Sequence, residues 1–506
     1  ALACGLFIVW DERASGDPGV AGPTSVLSSP DRRAPVVKPG ILREMPATAK
    51  PSLAQGGAIY GAFLERATGD LDVLIERRTI RALVVFSRTH FFLDGGRQRG
   101  IAYETMESFE RFINRSQPRG GKVDIVYIPV SSQQLIPALR EGIGDIALAN
   151  LTVAPTRNRL VDFSEPLMSN VREIVVTGAD GPALRGLADL SGRRIHVRAG
   201  SSYLDSLRKL NQVFLKQGRR PVLVSTVDPH LEDEDLLEMV DAGVLPMIAV
   251  DSHIASVWSQ ALDDINNHHN IVLRGGGEIA WAFRKQSPLL RNAVNQFIAQ
   301  HKKGTRFGNI MYKRYLQSAD YVKNPLPVLH SPNTREAMRL LQHYAIQYGF
   351  DWTLLAAQAF QESGIDQSKR THAGAVGVMQ VLPSTAADRN IGIGGIHRLE
   401  NNIHAGVKYL HFIKHRYFND EAIDPFNQIM LSLASYNAGP ARVAKLRRDA
   451  ARAGLDPNIW FDNVELVAAR EVGQEPVQYV RNILKFWLTY RMLRDQEKRT
   501  TQLAAR

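Results

Sequence analysis

The residue best equipped for chemistry is Glu362. It closes an apolar stretch, Trp352-Thr-Leu-Leu-Ala-Ala-Gln-Ala-Phe-Gln-Glu362-Ser363, and a glycine-punctuated segment follows, Gly374-Ala-Val-Gly377-Val-Met379-Gln380. A carboxyl group in apolar surroundings keeps its proton to higher pH, because burial disfavours the charged form. A proton retained near neutrality suits a general acid. A lone helical glutamate is ordinarily a solvated surface residue, so the neighbours decide the matter. Other chemistries lack their residues. Metal-ligand spacing of Cys and His, a Ser-His-Asp arrangement and a phosphate-cradling loop are not apparent. Gly275-Gly-Gly277 reads as a turn, and His253, His268, His269 and His404 are scattered. No metal or other cofactor is expected.

A helix must hold Glu362. Trp352, Leu355, Ala356, Ala359 and Phe360 recur at steps of three and four, which sets one face in a core. Glu362 falls in the last turn, where the negative end of the helix dipole also favours the protonated carboxyl. Gly364 is expected to end the helix, so Asp366 reads as a loop or cap residue and not as a second acid on the same face. Gly374 and Gly377 either let backbone approach a bulky ligand or mark plain turns.

Farther along come Asn402-Ile403, Gly406-Val-Lys-Tyr409-Leu410, Ser435-Tyr436-Asn437-Ala438-Gly439-Pro440 and Glu475-Pro-Val-Gln-Tyr479-Val480-Arg-Asn482-Ile483. Together with the Glu-Ser pair these motifs resemble the catalytic domain of the soluble-lytic-transglycosylase family, an all-α, goose-lysozyme-like fold that cleaves peptidoglycan. The resemblance spans about 150 residues, a normal size for one domain. It implies that Glu362 is the catalytic acid/base and that Thr371, Met379, Gln380, Tyr436, Asn437 and Tyr479 contact substrate. Tyr436 is expected to hydrogen-bond the Glu362 carboxyl and hold its rotamer, and Met379 is open to either core packing or a pocket wall. Gln380 and Asn437 offer amide groups suited to N-acetyl groups and sugar hydroxyls. Thr371 replaces a family serine and Val378 a leucine. Pro476 stands where a threonine is usual, which touches the outer substrate contacts more than the chemistry.

Ordinary glycosidases use two carboxylates, and no second motif carboxylate is present. The resemblance implies an intramolecular answer. Glu362 protonates the leaving N-acetylglucosamine oxygen with help from the substrate's acetamido group, then takes the proton from the C6 hydroxyl as it closes on C1. The product is a 1,6-anhydro-N-acetylmuramic acid end, formed without water. Two other functions stay open: a lysozyme-type murein hydrolase, and a non-enzymatic cell-wall-binding solute receptor.

From about Arg81 to Leu316, β-rich runs alternate with helical ones. Leu83–Phe86, Val123–Tyr127, Ile146–Leu148, Glu173–Val176, Arg194–Val197, Val222–Val224 and Met247–Val250 read as strands, with helices over 134–141 and 233–240. This predicts an α/β domain with parallel strands. Gly144-Asp145-Ile146-Ala147, Leu151-Thr152, Arg157 and Val161-Asp162-Phe163-Ser164-Glu-Pro166 resemble the family-3 periplasmic solute-binding proteins, two-lobed receptors for amino acids. That resemblance implies that Arg157 and Thr152 grip a ligand α-carboxylate, that Ser201 adds donors at a helix N-terminus, and that Asp251 meets an α-amino group. Asp251 can equally be a helix N-cap. Asn150 departs from the small residue usual at its position.

The chain of 506 residues exceeds a single ordinary core. Its net charge of +11 favours polyanionic partners. No zinc spacing, RNA-binding motif or basic helix points to nucleic acid, and an anionic cell envelope accounts for the same charge. The organisation expected is a lipoprotein signal end or anchor remnant at 1–10, a Pro/Gly/Ser-rich tether at 11–75, a solute-binding domain at 76–318, a linker at 319–333, the transglycosylase domain at 334–492 and a polar tail at 493–506. Ala3-Cys4-Gly5 resembles a lipidation site, while residues 5–10 can instead be the tail of a hydrophobic anchor. Either places the protein in the periplasm at a membrane, the outer membrane of a Gram-negative cell. The expected partners are glycan strands and a small amino acid or muropeptide that regulates cleavage through the junction around 323–332.

Overall fold

The computed structural model describes residues 66–94, 97–117, 121–316 and 334–504. Cys4, the anchor segment, the tether as far as residue 65 and the linker at 319–333 lie outside the described residues. Structure begins earlier than the expected domain boundary: Leu71–Glu76 is a helix capped by Asp70, with Leu74 fully buried.

The β-branched runs become strands where both faces of a sheet are covered, as at its central strands, so near-continuous apolar sequence is what a strand there needs. β1 (Thr79–Val84) is buried throughout. After it come the short hairpin of β2 (Phe92–Asp94) and β3 (Arg97–Arg99), then β4 (Asp124–Pro129), β5 (Ile146–Leu148) and β6 (Asp162–Phe163). The second lobe holds β7 (Met168–Gly178), β8 (Arg194–Arg198), β9 (Leu223–Val227), β10 (Met247–Asp251) and β11 (Ile265–Ile279), and β12 (Ala282–Phe283) returns to the first. The two five-stranded sheets run β4-β1-β5-β12-β6 and β11-β7-β10-β8-β9.

Both sheets are mixed: the parallel strands expected are present, and antiparallel ones join them. β1 pairs parallel with β4 and β5, and β8 pairs parallel with β9 and β10. β12 is antiparallel to β5 and β6, and β7 to β10 and β11. The chain leaves the first sheet between β6 and β7 and re-enters it between β11 and β12. Its outgoing and returning strands therefore run against each other, and the short segments 164–167 and 280–281 join the two lobes. Gly275-Gly-Gly277 is part of bulged β11 and not a turn. A Cβ on Gly277 would lie 3.0 Å from the Val171 carbonyl oxygen of the partner strand.

Seven helices position the sites: α1 (Ser202–Lys216), α2 (Asp233–Asp241), α3 (Trp352–Ser363), α4 (Leu399–Tyr417), α5 (Pro425–Ala438), α6 (Pro440–Arg452) and α7 (Gln474–Ala504). α3 lies against α7, and α5 against α4, α6 and α7. The segment expected as a polar tail continues α7, because Leu488, Met492 and Leu493 pack on the second lobe. The helical domain and the first lobe share one core, in which Leu83, Ile128 and Leu139 join Leu341, Leu355 and Val480. Polar contacts cross the same boundary. Ser131 N donates to Asp462 Oδ1 (3.3 Å), and Leu93 N to Gln478 Oε1 (2.9 Å). Lys485 Nζ reaches the second lobe instead, pairing with Asp235 Oδ1 (3.0 Å) and Glu238 Oε2 (2.7 Å) on α2.

Candidate active site

α3 forms where the three-and-four spacing places it. Asp351 caps its start by accepting from Thr353 N (3.0 Å), and Gly364 ends it in the left-handed region at φ +72°. Glu362 thus sits in the last turn, 9% exposed. Burial pushes its carboxyl up to about 8, and the Tyr479 hydroxyl pulls partly the other way by donating to Oε1 at 2.6 Å. Asp366 lies beyond the helix and bonds Ser368, as a loop residue does.

The expected tyrosine pairing is exchanged. Tyr436 donates to the Met379 carbonyl (2.8 Å), and the hydroxyl on Glu362 comes from Tyr479 on α7. Both tyrosines are buried, and both phenols are raised well above their ordinary value by burial first and by the Glu362 charge next.

Beside Glu362 opens a cleft of about 630 Å³, lined by Thr371, Gln380, Tyr409, Tyr436 and Asn437. Met379 does not line it. Its side chain is fully buried, its N–H donates to Asn402 Oδ1 (2.8 Å), and its carbonyl serves Tyr436. Tyr479 likewise faces the carboxyl from inside and positions it. Gln380 has φ +46°, a left-handed conformation uncommon for a residue with a Cβ. The strained turn aims Nε2 at the Gly377 carbonyl (2.7 Å) and leaves Oε1 buried without a partner. An acceptor held unpaired at a cleft wall matches a ligand amide N–H. Gly377 is glycine for internal packing, since a Cβ there would lie 2.6 Å from Gln367 Oε1 and 2.7 Å from Asn402 Cγ. Gly374, at φ +86°, faces open space.

A carboxyl that must donate its proton loses activity once it ionises. Turnover is expected to fall about tenfold per pH unit above roughly pH 8. The Tyr479 hydroxyl stabilises the ionised form, so Tyr479→Phe should shift the alkaline limb to higher pH and lower the maximal rate by loosening the carboxyl. A pH–rate profile of the variant with an unmoved limb would refute this.

The second candidate site lies between the lobes. Arg157 donates from its two terminal nitrogens to the Thr152 carbonyl (2.9 Å) and, across the gap, to the Gly200 carbonyl (2.9 Å). Ser201 is the N-cap of α1. Asp251 is fully buried and its side chain does not cap the helix that follows; Oδ2 accepts from Asn150 Nδ2 at 2.7 Å, a second link between lobes. Burial, with the charges of Asp233 and Glu173, raises its carboxyl to about 7. Arg157 and Ser201 line a cleft of about 530 Å³, while Thr152 and Asp251 stand behind its wall. Sequence reasoning missed Arg198, Glu232 and Asp233 in that cleft, where Arg198 is held by Asp233 (2.6 Å) and Glu232 (3.1 Å). The acidic run Glu232-Asp-Glu-Asp235 was the available signal, as a charged helix start.

Among the described residues no group of three or more His, Cys, Asp or Glu could hold a metal, and no helix is long and apolar enough to cross a membrane.

Comparison with known proteins adds a finding for each half. Residues 339–457 match the family described as Transglycosylase SLT domain, and residues 88–318 match Bacterial extracellular solute-binding proteins, family 3. The Membrane-bound lytic murein transglycosylase F of Desulfosudis oleivorans is 31% identical over 406 residues, covering 76% of this chain and 86% of that one. The protein of the same name from Maricaulis maris is 30% identical over 385 residues, covering 71% and 79%. Among solved structures, the substrate binding protein of an amino acid ABC transporter aligns with 47% of this chain and 99% of its own, at 19% identity and a TM-score of 0.40.

Proposed function

We propose, from the premise that the chain belongs to the membrane-bound lytic murein transglycosylase F family and is a peptidoglycan lytic transglycosylase, that Glu362 cleaves the MurNAc-GlcNAc β-1,4 bond to a 1,6-anhydro end. One observation carries this reading. The cleft presents a single carboxyl, raised to about 8, and no second carboxylate lines it among the described residues. A two-carboxylate mechanism therefore lacks its partner. Glu362 gives its proton to the glycosidic oxygen, and the GlcNAc strand departs as an alcohol. The acetamido oxygen of the same muramyl residue covers C1 as the bond breaks. The Glu362 carboxylate then takes the C6 hydroxyl proton while O6 bonds to C1 and displaces the acetamido oxygen, so the enzyme ends protonated as it began. Gln380 Oε1 accepts the N–H of an N-acetyl group, and Thr371, Tyr436 and Asn437 line the sugar's path. Mass spectrometry of digested sacculi tests the step: anhydro ends are one water lighter than the reducing ends a hydrolase leaves, and reducing ends alone would overturn the reading.

The two-lobed domain binds a small amino acid or muropeptide in the cleft between its lobes, with the α-carboxylate at Arg157, and that ligand regulates cleavage. The junction first expected to transmit the effect lies outside the described residues. Support comes from elsewhere. α2 starts at the ligand cleft with Glu232 and Asp233, and Asp235 and Glu238 farther along it grip Lys485 of α7. α7 also carries Tyr479, whose hydroxyl holds Glu362. A lobe movement thus has a short mechanical route to the carboxyl, provided the ligand favours one lobe arrangement. Lys485→Met is expected to preserve ligand affinity and shrink the ratio of cleavage rates with and without ligand toward one. A full ligand response in this variant, measured on purified sacculi with a muropeptide as probe, refutes the route.

The protein works in the periplasm, held at a membrane; support comes from relatives that are named membrane-bound. Metabolic labelling with a clickable fatty acid, compared between wild type and Cys4→Ala, tests Cys4 as the point of attachment.

A further inference from the structure

Gly439 lines the Glu362 cleft, and α6 begins at the next residue. The helix buries Val443, Leu446 and Ala450 and turns Arg442, Lys445, Arg448 and Arg452 to solvent. At about 100° per residue these four cations fall within an arc of roughly 120°. Two of them are engaged: Lys445 with Asp449 (2.7 Å) and Glu471 (2.5 Å), and Arg452 with Asp449 (2.9 Å). Arg442 and Arg448, which share that face, have no ion pair or hydrogen bond among the described residues. The far end of the helix borders an open groove of about 1510 Å³ between the two domains, lined by Lys445, Arg452 and Arg470 together with Arg66 and Ile143.

We propose that this cationic face of α6 is a subsite for the acidic stem peptide carried by the muramyl residue being cut. The inference rests on the reading of the Glu362 cleft as the glycan site and adds what recognises the peptide. Three features favour that partner over a merely solvated helix. The free arginines begin within a turn of the rim of the cleft that takes the glycan. The distances match: Gly439 to Arg448 is roughly 13 Å along the axis at 1.5 Å per residue, and a stem of about four or five extended residues spans roughly 13–18 Å. The charges match as well, because the stem carries carboxylates, arginine pairs with them in a two-donor fork, and the positive N-terminus of α6 points toward the cleft.

The test compares peptide-bearing murein strands with the same strands stripped of peptide by an amidase. Wild type, Arg442→Gln/Arg448→Gln and Glu362→Gln are assayed at low salt and at about 0.5 M salt, where exposed charges are largely screened. The double variant should lose about three- to tenfold in kcat/KM on peptide-bearing strands at low salt, less at high salt, and stay within about twofold of wild type on stripped glycan. Equal loss on both substrates, or none on peptide-bearing strands, overturns the subsite. Turnover within about tenfold of wild type in Glu362→Gln overturns the cleft reading instead, so the two failures are told apart.

Discussion

Glu362→Gln reduces murein cleavage by roughly 10²–10⁴-fold, toward the upper end because one carboxyl both gives and takes a proton. The amide keeps the shape and much of the hydrogen-bonding reach of the acid, so glycan binding to the variant, measured by co-sedimentation with sacculi, should remain close to wild type. A second readout follows from the pKa. Burial raises the folded-state carboxyl to about 8 from an ordinary 4.5, so the folded protein holds this proton more tightly than the unfolded chain does. Ionising Glu362 therefore costs stability progressively as pH rises from about 4.5 to 8, and the cost is absent below that window. Glutamine cannot ionise. The variant should melt close to wild type near pH 4.5 and at a higher temperature than wild type at pH 8 and above. A variant that cleaves sacculi at the wild-type rate, or whose melting difference ignores pH, contradicts a buried acid at this position.

The residues on α3 were legible in the sequence because a helix start, an apolar face and a glycine stop are all local signals within a dozen positions. The last-turn position of Glu362, the stop at Gly364 and the loop character of Asp366 came out of that grammar, whereas the role of Glu362 needed the motifs farther along. The exchange of Tyr436 for Tyr479 did not, because the second tyrosine reaches Glu362 from 117 positions away. Only the packing of α7 on α3 decides which hydroxyl arrives. Met379 shows the same limit from the other side: its place in a glycine-rich motif says nothing about which way the side chain turns, and here it turns into the core while its backbone serves Asn402 and Tyr436. β11 was hidden because Asn266-Asn-His-His-Asn270 and the glycines after it lack the alternation of a strand; its pairing with β7 holds it. Lys485 carries no local signal of its role, since the carboxylates it pairs with lie in the other domain.

The motif Gly144-Asp145-Ile146-Ala147, noticed first as a family landmark, has a physical basis that leads to the largest expected effect on stability. Asp145 is fully buried and gathers three guanidinium groups: Arg81 through Nε (3.1 Å) and a terminal nitrogen (3.0 Å), Arg284 (3.0 Å), and Arg77. Its carboxylate also accepts from the Arg81 backbone N–H (2.9 Å). Burial alone pushes this carboxyl up, but the Arg81 bonds and charge, with Arg77, outweigh it and hold the group below its usual value. The depressed value means that the stabilisation is present above the ordinary carboxylate range and is lost as acid protonates Asp145. Removing the charge takes from Arg81, itself without exposed surface, the carboxylate it is paired with. Breaking such a buried pair costs about 3–5 kcal/mol, a large share of what a domain has to spare. Asp145→Asn should therefore unfold the first lobe at a markedly lower temperature. Because Leu83 and Ala147 of that lobe belong to the same core as Leu355 and Val480 around the Glu362 helix, the loss should spread: murein cleavage should disappear at the temperature where the lobe melts. An Asp145→Asn protein whose helical domain keeps cleaving sacculi after circular dichroism shows the lobe unfolded would mean that the two halves melt independently, and that the shared core is a contact surface and not a cooperative one.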